Sequence, residues 1–334
     1  MDKTDLIVVT GAGGFIGGHL LADLRSQGYH RLRAIDIKPL DQWYQSFDDI
    51  ENLQLNLNEY QSAEQACRNA NYIFNLACNM GGMGFITTHK AECMLSVLIN
   101  THLLMAAKKF QAKRFLFSSS ACVYTEDRQK TTYLPPLKEG DAYPAMPEDG
   151  YGWEKLFSER MCRHFSEDYQ LDTRVIRYHN VYGPYGTYDG GREKSPAALC
   201  RKVIQAKMNN HYEIEIWGDG EQTRSFTYID DCIYGTKAIM MSDIEEPINV
   251  GSSELVTINQ MVDIIEQIAN IKFQRRYKLD APLGVRGRNS DNTLIKSKLG
   301  WEPTESLKTG LEKTYRWIHD NIKSVEHDKR SVFA

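Results

Sequence analysis

The sequence predicts an α/β protein in which a doubly wound parallel sheet is followed by a smaller α/β domain. In the first half, short and continuously apolar runs alternate with longer helical patterns, as in buried parallel strands joined by crossover helices. In the second half, glycine-bounded turns interrupt the chain more often. We therefore place one domain at residues 1–180 and a second mainly at 181–325, with some segments returning to the first sheet, before a charged tail at 326–334.

Each element of the first domain follows from its local pattern. Leu6 to Val9 is an apolar run that ends at Thr10 and Gly11, which indicates a buried strand. The later apolar runs are similarly short and are separated by segments long enough to form helices. Further strands are predicted at 32–36, 72–77 and 114–118, and helices at about 15–27 and through 95–104.

Composition is typical of a soluble globular protein. The chain has 334 residues, of which 42% are hydrophobic and 25% charged, enough to bury a core without disulfides or metals. The formal net charge of −4 predicts no nucleic-acid or membrane partner, and no run is suited to a membrane span or signal peptide. Seven scattered cysteines without a Cys-x-x-Cys pair indicate no metal site and a reduced, cytoplasmic compartment.

A glycine-rich loop follows the first predicted strand and opens the first predicted helix. Such a loop lets the backbone turn tightly and approach a pyrophosphate at a helix N-terminus, which predicts a Rossmann-type domain. The predicted cofactor-binding residues here are Gly11, Gly13, Gly14, Phe15, Ile16 and Gly17. Asp36 lies 19 residues beyond Gly17, where a carboxylate favours NAD over NADP, although Lys38 and Arg33 weaken that preference. The alternative is a glycine turn that serves packing alone.

Tyr151 and Lys155 are four residues apart, and so lie on one face of a predicted helix. An ammonium group beside a phenol lowers the pKa of the phenol, so Tyr151 is a candidate base at neutral pH. Ser120 ends a run of three serines at the end of a predicted strand. Because ligands bind at the carboxyl ends of parallel strands, we expect Ser120 near this pair. Without that serine, an ordinary amphipathic pair would be the better interpretation.

These three motifs together resemble the extended short-chain dehydrogenase/reductase family, which acts on nucleotide sugars, over nearly the whole chain. The resemblance implies that NAD is the cofactor, that a nucleotide sugar is the substrate and that the protein is a homodimer. It further implies that Ser120 orients the sugar C4 hydroxyl and that Tyr151 removes its proton while hydride passes to NAD. Lys155 would bind the nicotinamide ribose and tune the tyrosine.

Cys122 lies two residues past Ser120, and its identity indicates which reaction follows oxidation at C4. Dehydratases of the resembling family have an Asp-Glu pair where this chain has Ala121 and Cys122, and they need those carboxylates to eliminate water. The difference disfavours dehydration. A thiol can instead move a proton to and from carbon. An inert buried cysteine is the alternative.

Further segments resemble the branch of this family that epimerises GDP-mannose. They are Met80–Ile86, expected as an irregular loop at the ligand, residues 190–197 with Lys194 before a helix, and residues 284–292. This resemblance implies that Cys122 and Lys194 are an acid/base pair on opposite faces of the sugar. The expected reaction is GDP-D-mannose to GDP-L-galactose, with GDP-L-gulose if only C5 inverts. The expected substrate contacts are Met80, Gly81, Gly82, Met83, Asn180, Lys194, Lys202, Arg224 and Arg288.

Some of these residues have other interpretations. Arg224 and Arg288 match diphosphate-binding positions of the family, and arginine suits phosphate. Lys202 is equally well explained as a surface lysine on a helix, and His179 is best explained as a structural histidine. Trp153 is larger than the residue expected between Tyr151 and Lys155.

Other functions remain open at this point. The chain could be another epimerase, a dehydratase or a decarboxylase of the same family. It could also be a non-catalytic protein that binds NAD or a nucleotide sugar.

Overall fold

The structure is a computed structural model that describes residues 1–332, and its centre is a parallel β-sheet. The strands are β1 Ile7–Thr10, β2 Leu32–Asp36, β3 Glu51–Gln54, β4 Tyr72–Asn75, β5 Arg114–Ser120, β6 Thr173–Tyr178, β7 Val181–Tyr182, β8 Glu213–Trp217, β9 Thr223–Ser225, β10 Thr227–Tyr228, β11 Ile248–Val250, β12 Leu255–Thr257, β13 Gln274–Lys278 and β14 Gly287–Arg288. The α-helices are α1 Phe15–Ser26, α2 Tyr60–Cys67, α3 Met83–Thr88, α4 Lys90–Lys109, α5 Tyr151–Tyr169, α6 Ser195–Met208, α7 Ile229–Met241, α8 Ile258–Ala269, α9 Thr293–Leu299 and α10 Leu307–Val332.

Within residues 1–332 the large sheet has seven strands in the order β11-β6-β5-β4-β1-β2-β3. Every neighbouring pair in it is parallel. The order reverses between β1 and β4, the point at which doubly wound sheets bind ligands beyond the carboxyl ends of their strands. The predicted Rossmann-type fold is therefore confirmed.

Alternation along β1 shows why both faces of the sheet are covered. Ile7 and Val9 belong to one buried apolar cluster, whereas Val8 belongs to another. The first cluster includes residues of α1, α6, α7, α8 and α10, and the second includes residues of α2, α4 and α5. Since successive side chains of a strand point to opposite faces, a continuous apolar run is what such a sheet requires.

The predicted elements of the first half have nearly the observed bounds. β2 begins and ends where expected, and α1 ends one residue before the predicted end. β5 runs two residues beyond the predicted strand, so Ser120 is its last residue. β4 stops at Asn75, two residues before its predicted end, which leaves Leu76 and Ala77 to begin the following loop.

Short sheets and helices make up most of the second half. β7 pairs with β10, β13 with β8, and β9 lies between β12 and β14. β11 instead lies beside β6 in the large sheet, so a segment of the second half is part of the first. α10 overlaps the start of the charged tail predicted from residue 326, and residues 333–334 of that tail lie outside the described residues.

A buried ion pair fastens β5 and β6 to α5. Arg177 on β6 donates to both carboxylate oxygens of Glu159 on α5, at 2.8 and 2.7 Å. Ser119 on β5 donates to the same carboxylate at 2.5 Å. All three side chains are buried. Because charged hydrogen bonds are strong where water is excluded, this network fixes α5 against the ends of β5 and β6.

Removing one partner of this pair tests its structural role. We expect Glu159→Gln to lower the free energy of unfolding by about 3 kcal/mol, since an unpaired guanidinium would stay buried. The matched control is Glu167→Gln on the same helix, where the carboxylate pairs with Arg163 and is 46% exposed in its side chain. Urea denaturation of the three proteins would measure the difference, and equal midpoints for both variants would contradict the prediction.

Candidate active site

The glycine loop is held by contacts that leave no room for side chains. A Cβ at Gly17 would lie 2.2 Å from the carbonyl oxygen of Gly11, and Gly11 has a φ of +68°. Gly13 donates its amide hydrogen to Asp36 at 3.0 Å. The amides of Phe15 and Ile16 precede the first intrahelical bond, from Gly18 to Gly14. The glycines therefore serve packing and also leave helix-terminal donors able to bind a phosphate.

Basic residues near Asp36 have partners of their own. Lys38 donates its backbone amide to Asp36 at 3.0 Å and its ammonium group to the Gly13 carbonyl at 2.7 Å. Arg33 pairs with Glu51 at 2.7 Å. Trp43 packs its indole against Gly13, where a Cβ would lie 2.5 Å from the ring. Asp36 is thus the acidic group at the end of β2, and Arg33 is directed to a partner on β3.

Ser120, Tyr151 and Lys155 lie together, as the motif spacing predicts. Ser120 is the last residue of β5, and Tyr151 and Lys155 lie in the first two turns of α5. The Ser120 hydroxyl lies near enough to Tyr151 to lower the pKa of its phenol. The Lys155 ammonium lies 5.5 Å from the centre of the Tyr151 ring and 3.5 Å from the carboxylate of Glu154. Tyr151, Glu154 and Lys155 are all buried.

The net electrostatic effect on Tyr151 differs from the sequence-based expectation. Burial raises the pKa of Tyr151 well above its usual value, and the nearby Cys78, Cys122 and Glu154 add to the rise, while the bond to Ser120 opposes it. For Lys155, burial lowers the pKa, but Cys78 and Glu154 outweigh it and the net shift is upward. The ammonium charge is thus partly compensated by Glu154, which reduces the stabilisation it can give a phenolate.

Cys122 lies in a 3₁₀ turn, Ala121–Val123, directly after β5. Its backbone amide donates to the Ser120 hydroxyl at 3.2 Å. A Cβ at Gly152 would lie 2.4 Å from its carbonyl oxygen, so a glycine lets the start of α5 approach. Burial and, after it, the charge of Glu148 raise the pKa of the Cys122 thiol to about 11, against the opposing effect of Arg288. The thiol therefore carries its proton at neutral pH.

The segment after β4 is only partly the irregular loop that was expected. Residues 76–82 form a loop, but Met83–Thr88 is the short helix α3, so the expectation for Met83 to Ile86 is wrong. No close contact requires a glycine at position 84, because an added Cβ would meet only the Trp217 ring at 3.6 Å. Gly84 can therefore be an ordinary residue of a helix. A glycine costs a helix only about 1 kcal/mol, which packing of Phe85 and Ile86 can offset.

Gly82 joins this loop to the loop that carries Lys194. It donates its amide hydrogen to the Arg192 carbonyl at 3.0 Å. A Cβ there would lie 2.4 Å from the carbonyl oxygen of Glu193. Arg192 also stacks on Phe85, with its guanidinium carbon 3.8 Å from the ring centre. Two loops from distant parts of the chain are therefore held in backbone contact beside the start of α6.

Lys194 occupies the N-cap position of α6 and is half-buried. Burial lowers the pKa of its ammonium group, while the thiols of Cys122 and Cys78 act in the opposite direction. The thiol and the amine therefore interact electrostatically although they come from different elements. Their shifts are complementary, because one group is held as a proton donor and the other is moved towards a neutral base.

Arg224, which is half-buried, and Arg288, which is buried, are neighbours on paired strands. Their Cα atoms are register partners between β9 and β14. Arg224 donates to the carbonyls of Leu283 and Val285 at 3.1 and 2.7 Å, and burial lowers its pKa to about 10, with the charge of Arg288 contributing. Arg288 reaches the Cys122 sulfur, 3.5 Å from its Nη1 atom. The structure thus places Arg288 beside the thiol.

Two other predicted substrate contacts lie at loop and helix positions. Asn180 follows β6 with a φ of +43° and donates to the Ser225 carbonyl at 2.9 Å. Lys202, on α6, donates to the Glu215 carbonyl at 2.9 Å. His179 is buried, and its Nε2 atom lies 3.0 Å from the side-chain oxygen of Asn249. Burial lowers the pKa of His179 to about 3, so it is neutral.

The chain is similar to known proteins in sequence. The model of the NAD dependent epimerase/dehydratase family matches residues 7–251. The chain belongs to this family. It is 45% identical over 322 residues to GDP-mannose 3,5-epimerase 1 of Oryza sativa subsp. indica, covering 95% of this chain and 82% of that protein. It is 42% identical over 318 residues to GDP-mannose 3,5-epimerase of Arabidopsis thaliana, covering 95% and 83%.

Solved structures with bound nucleotide sugars have the same fold as this member of the epimerase/dehydratase family. UDP-glucose 4-epimerase from Thermotoga maritima, solved with UDP-glucose, is similar with a TM-score of 0.84 and 26% identity. That likeness covers 95% of this chain and 99% of the other. MoeE5, solved with UDP-glucose and NAD, is similar with a TM-score of 0.79 and 25% identity, over 95% and 99%.

Sequence reasoning missed several groups of this epimerase/dehydratase site. Glu148 and Gln129 contact Arg288, and Glu154 contacts Lys155. Cys78 lies close enough to Tyr151 and Lys155 to affect both. For Glu154, adjacency to Lys155 was an available signal. The others are brought in by tertiary contacts that no spacing indicates.

Two searches among the described residues found nothing. No helix within residues 1–332 combines the length and the apolar content needed to cross a bilayer. No group of three or more His, Cys, Asp or Glu side chains in that range is arranged to hold a metal ion.

The contact at Gly82 gives a test of the site's geometry. We expect Gly82→Ala to lower turnover by about 10²-fold, because the added Cβ must push the two loops apart and displace Lys194. Gly140→Ala is the matched control, since a Cβ there meets nothing within 4 Å. Steady-state kinetics and circular dichroism of both variants would decide. Full activity in a folded Gly82→Ala protein would contradict the prediction.

Proposed function

We propose that this protein is a nucleotide-sugar epimerase that converts GDP-D-mannose to GDP-L-galactose, with GDP-L-gulose as product when only C5 is inverted. The observation that carries the proposal is that the Cys122 thiol lies near enough to Lys194 and to Tyr151 to act on the pKa of both. A thiol that retains its proton and a desolvated amine form a proton donor and a proton acceptor of the kind that inversion at carbon needs. The identity to GDP-mannose 3,5-epimerases of two plants supports the same substrate.

NAD fits the site as its cofactor. The loop at Gly11–Gly17 leaves helix-terminal amides for the pyrophosphate, and the Asp36 carboxylate lies at the end of β2 for a ribose hydroxyl. In the proposed complex, Lys155 holds the nicotinamide ribose. When bound, NAD accepts hydride from the sugar C4 and later returns it, so the overall reaction is an isomerisation.

Ser120 and Tyr151 act on the C4 hydroxyl in the proposed mechanism. Ser120 orients this hydroxyl, and Tyr151 takes its proton as the C4 carbon becomes a ketone. The raised pKa of Tyr151 keeps its phenol protonated at neutral pH, so a proton is present on the tyrosine for the return step. For the forward step the tyrosine must give up its own proton first, and the positive charge of Lys155 favours that state.

Cys122 and Lys194 then act on the carbons that neighbour the ketone. A ketone at C4 acidifies the hydrogens at C3 and C5. Inversion requires removal of a proton from one face of the sugar and delivery to the other. The thiol follows β5 and the amine begins α6, so the two groups come from different elements, which supports an opposed placement.

The diphosphate has a candidate site at the paired arginines. Arg224 and Arg288 carry like charges on neighbouring strands, and an anionic group between them would relieve their repulsion. Arg288 also contacts the sulfur of Cys122, and this position favours a contact between its guanidinium and the sugar as well. Met80, Gly81, Gly82 and Met83 remain proposed substrate contacts, as do Asn180 and Lys202.

A dehydratase is the less favoured alternative, because Ala121 and Cys122 supply no carboxylate after Ser120. A protein that only binds NAD or a nucleotide sugar would have no need for the buried thiol and the half-buried amine. The seven cysteines are free thiols in the structure, which supports the cytoplasm as the compartment. We propose residues 1–180 as the NAD-binding domain and 181–325 as mainly the substrate domain.

We also propose that the protein is a homodimer whose subunits pair through α4 and α5. Large apolar side chains are exposed along one stripe of α4, at Met94, Leu95, Leu98 and Met105. Trp153 and Phe157 are exposed one turn apart on the adjacent α5. Trp153 therefore faces outward and does not crowd the catalytic pair. A second copy of the chain would cover this surface with an identical one.

The activity test is incubation of the protein with GDP-mannose in deuterated water. We expect deuterium at C3 and C5 in a product of otherwise unchanged formula, measured by mass spectrometry and proton NMR. Tyr151→Phe and Cys122→Ala should each lose about 10²- to 10⁴-fold in exchange, and Cys67→Ala, a buried cysteine outside the site, should not. Loss of water would indicate a dehydratase, and no exchange would contradict the proposed substrate.

The dimer test changes one exposed residue of the stripe. We expect Leu95→Glu to convert a dimer to the 38.3 kDa monomer, because a buried carboxylate would oppose association. Leu279→Glu is the control, since Leu279 is 72% exposed on a different element. Light scattering after size exclusion gives both masses. A monomeric parent protein would refute the proposal.

A further inference from the structure

Glu148 is a buried charge that the proposed chemistry does not use. It lies three residues before Tyr151, in the segment that leads into α5, and is only 5% exposed. Its Oε1 atom forms an ion pair with the Nη2 atom of Arg288. Among residues 1–332, no hydrogen-bond donor reaches its other oxygen, Oε2. A buried carboxylate oxygen without a donor is costly, which indicates a function for this arrangement.

The ion pair is built around the sulfur of Cys122. The Nη1 atom of Arg288 lies 3.5 Å from that sulfur, and its Nε atom donates to Gln129 at 2.7 Å. The backbone amide of Glu148 donates to the Cys122 carbonyl at 3.1 Å. One guanidinium therefore bridges the carboxylate and the thiol, and the carboxylate is fixed to the backbone of the same cysteine.

We propose that Glu148 is a positioning residue that keeps Cys122 in its thiol form by holding Arg288 in an ion pair. The reason is charge balance. A lone buried guanidinium at 3.5 Å would attract a thiolate strongly, whereas a guanidinium neutralised by a carboxylate does so weakly. The carboxylate itself repels the thiolate. Cys122 then enters the reaction as the proton donor, so the proposal rests on the role of Cys122 in the proposed function.

Charged and titratable groups face Cys122 from several elements. They are Glu148 before α5, Tyr151 on α5, Lys194 at the start of α6, Arg224 on β9 and Arg288 on β14. The three cationic side chains favour a thiolate. After burial, Glu148 has the largest effect on the pKa of this thiol, and it acts upward. It is thus the group whose removal should most change the proton on Cys122.

Alkylation of Cys122 as a function of pH tests the proposal. Iodoacetamide reacts with the thiolate, and the tryptic peptide 115–128 contains Cys122 and no other cysteine, so mass spectrometry reads this site alone. We expect Glu148→Gln to lower the pH of half-maximal labelling by about one unit or more. An unchanged midpoint in folded Glu148→Gln protein would overturn the proposal.

Asp149→Asn is the matched control, because it removes a neighbouring carboxylate that is exposed and pairs with Lys90. Its midpoint should equal that of the parent protein. If Glu148→Gln does not fold, Glu148→Asp serves instead: its shorter side chain withdraws the carboxylate from Cys122, and a smaller downward shift is expected. A midpoint equal to the parent's in that variant would likewise overturn the proposal.

This measurement is independent of the substrate. A protein that does not turn over GDP-mannose but shows the shift would refute the proposed function and leave the role of Glu148 intact. A protein that turns it over without the shift would refute only the role of Glu148.

Discussion

Close backbone contact is the constraint on which the site depends. At Gly17, Gly152 and Gly82, an added Cβ would lie within 2.4 Å of a carbonyl oxygen in another segment. The first contact closes the nucleotide loop, the second sets α5 against Cys122, and the third joins the loop before α3 to the loop before α6. Without these three approaches, the motifs of the sequence would not share one cleft. Glycine is required at each because any other residue adds the atom that the contact excludes.

Charge compensation is the second organising feature. Arg177 pairs with Glu159, Lys155 with Glu154 and Arg288 with Glu148, and all six side chains are buried. Each pair lies beside a group with a shifted pKa or supports the element that carries one. Because a paired charge acts weakly on its neighbours, these carboxylates decide how much positive charge the phenol and the thiol experience. Glu148 and Glu154 therefore tune the proposed reactive groups, although neither is a residue that the motifs specify.

The sequence predicted the framework better than the tuning. Local composition alone indicates a buried strand in runs such as residues 32–36, and the observed bounds of β2 agree with the predicted ones. Ser120, Tyr151 and Lys155 could be associated because sheet topology brings strand ends and the following helices together. α3 was missed because tertiary packing stabilises a helix despite its glycine.

The pKa of Tyr151 was misjudged for a related reason. Its largest causes, burial and the neighbouring Cys78 and Cys122 thiols, depend on packing in three dimensions, and spacing along the chain does not report packing. Glu148 escaped notice in the same way, since its contact with Arg288 joins residues 140 positions apart.

The way the catalytic groups are attached has a mechanical consequence. Ser120, Cys122, Tyr151 and Lys155 belong to β5, the turn after it and α5. Ser119 and Arg177 both bind Glu159 and so hold these elements together. Lys194 lies in a different part of the structure. Its loop is held to the loop before α3 by the backbone contact at Gly82. If the loop before α6 moved relative to α5, the Lys194 amine would move away, while Ser120, Tyr151 and Lys155 would keep their spacing. In the proposed mechanism, hydride exchange at C4 therefore depends only on β5, the turn after it and α5. Inversion depends in addition on the position of the loop that carries Lys194.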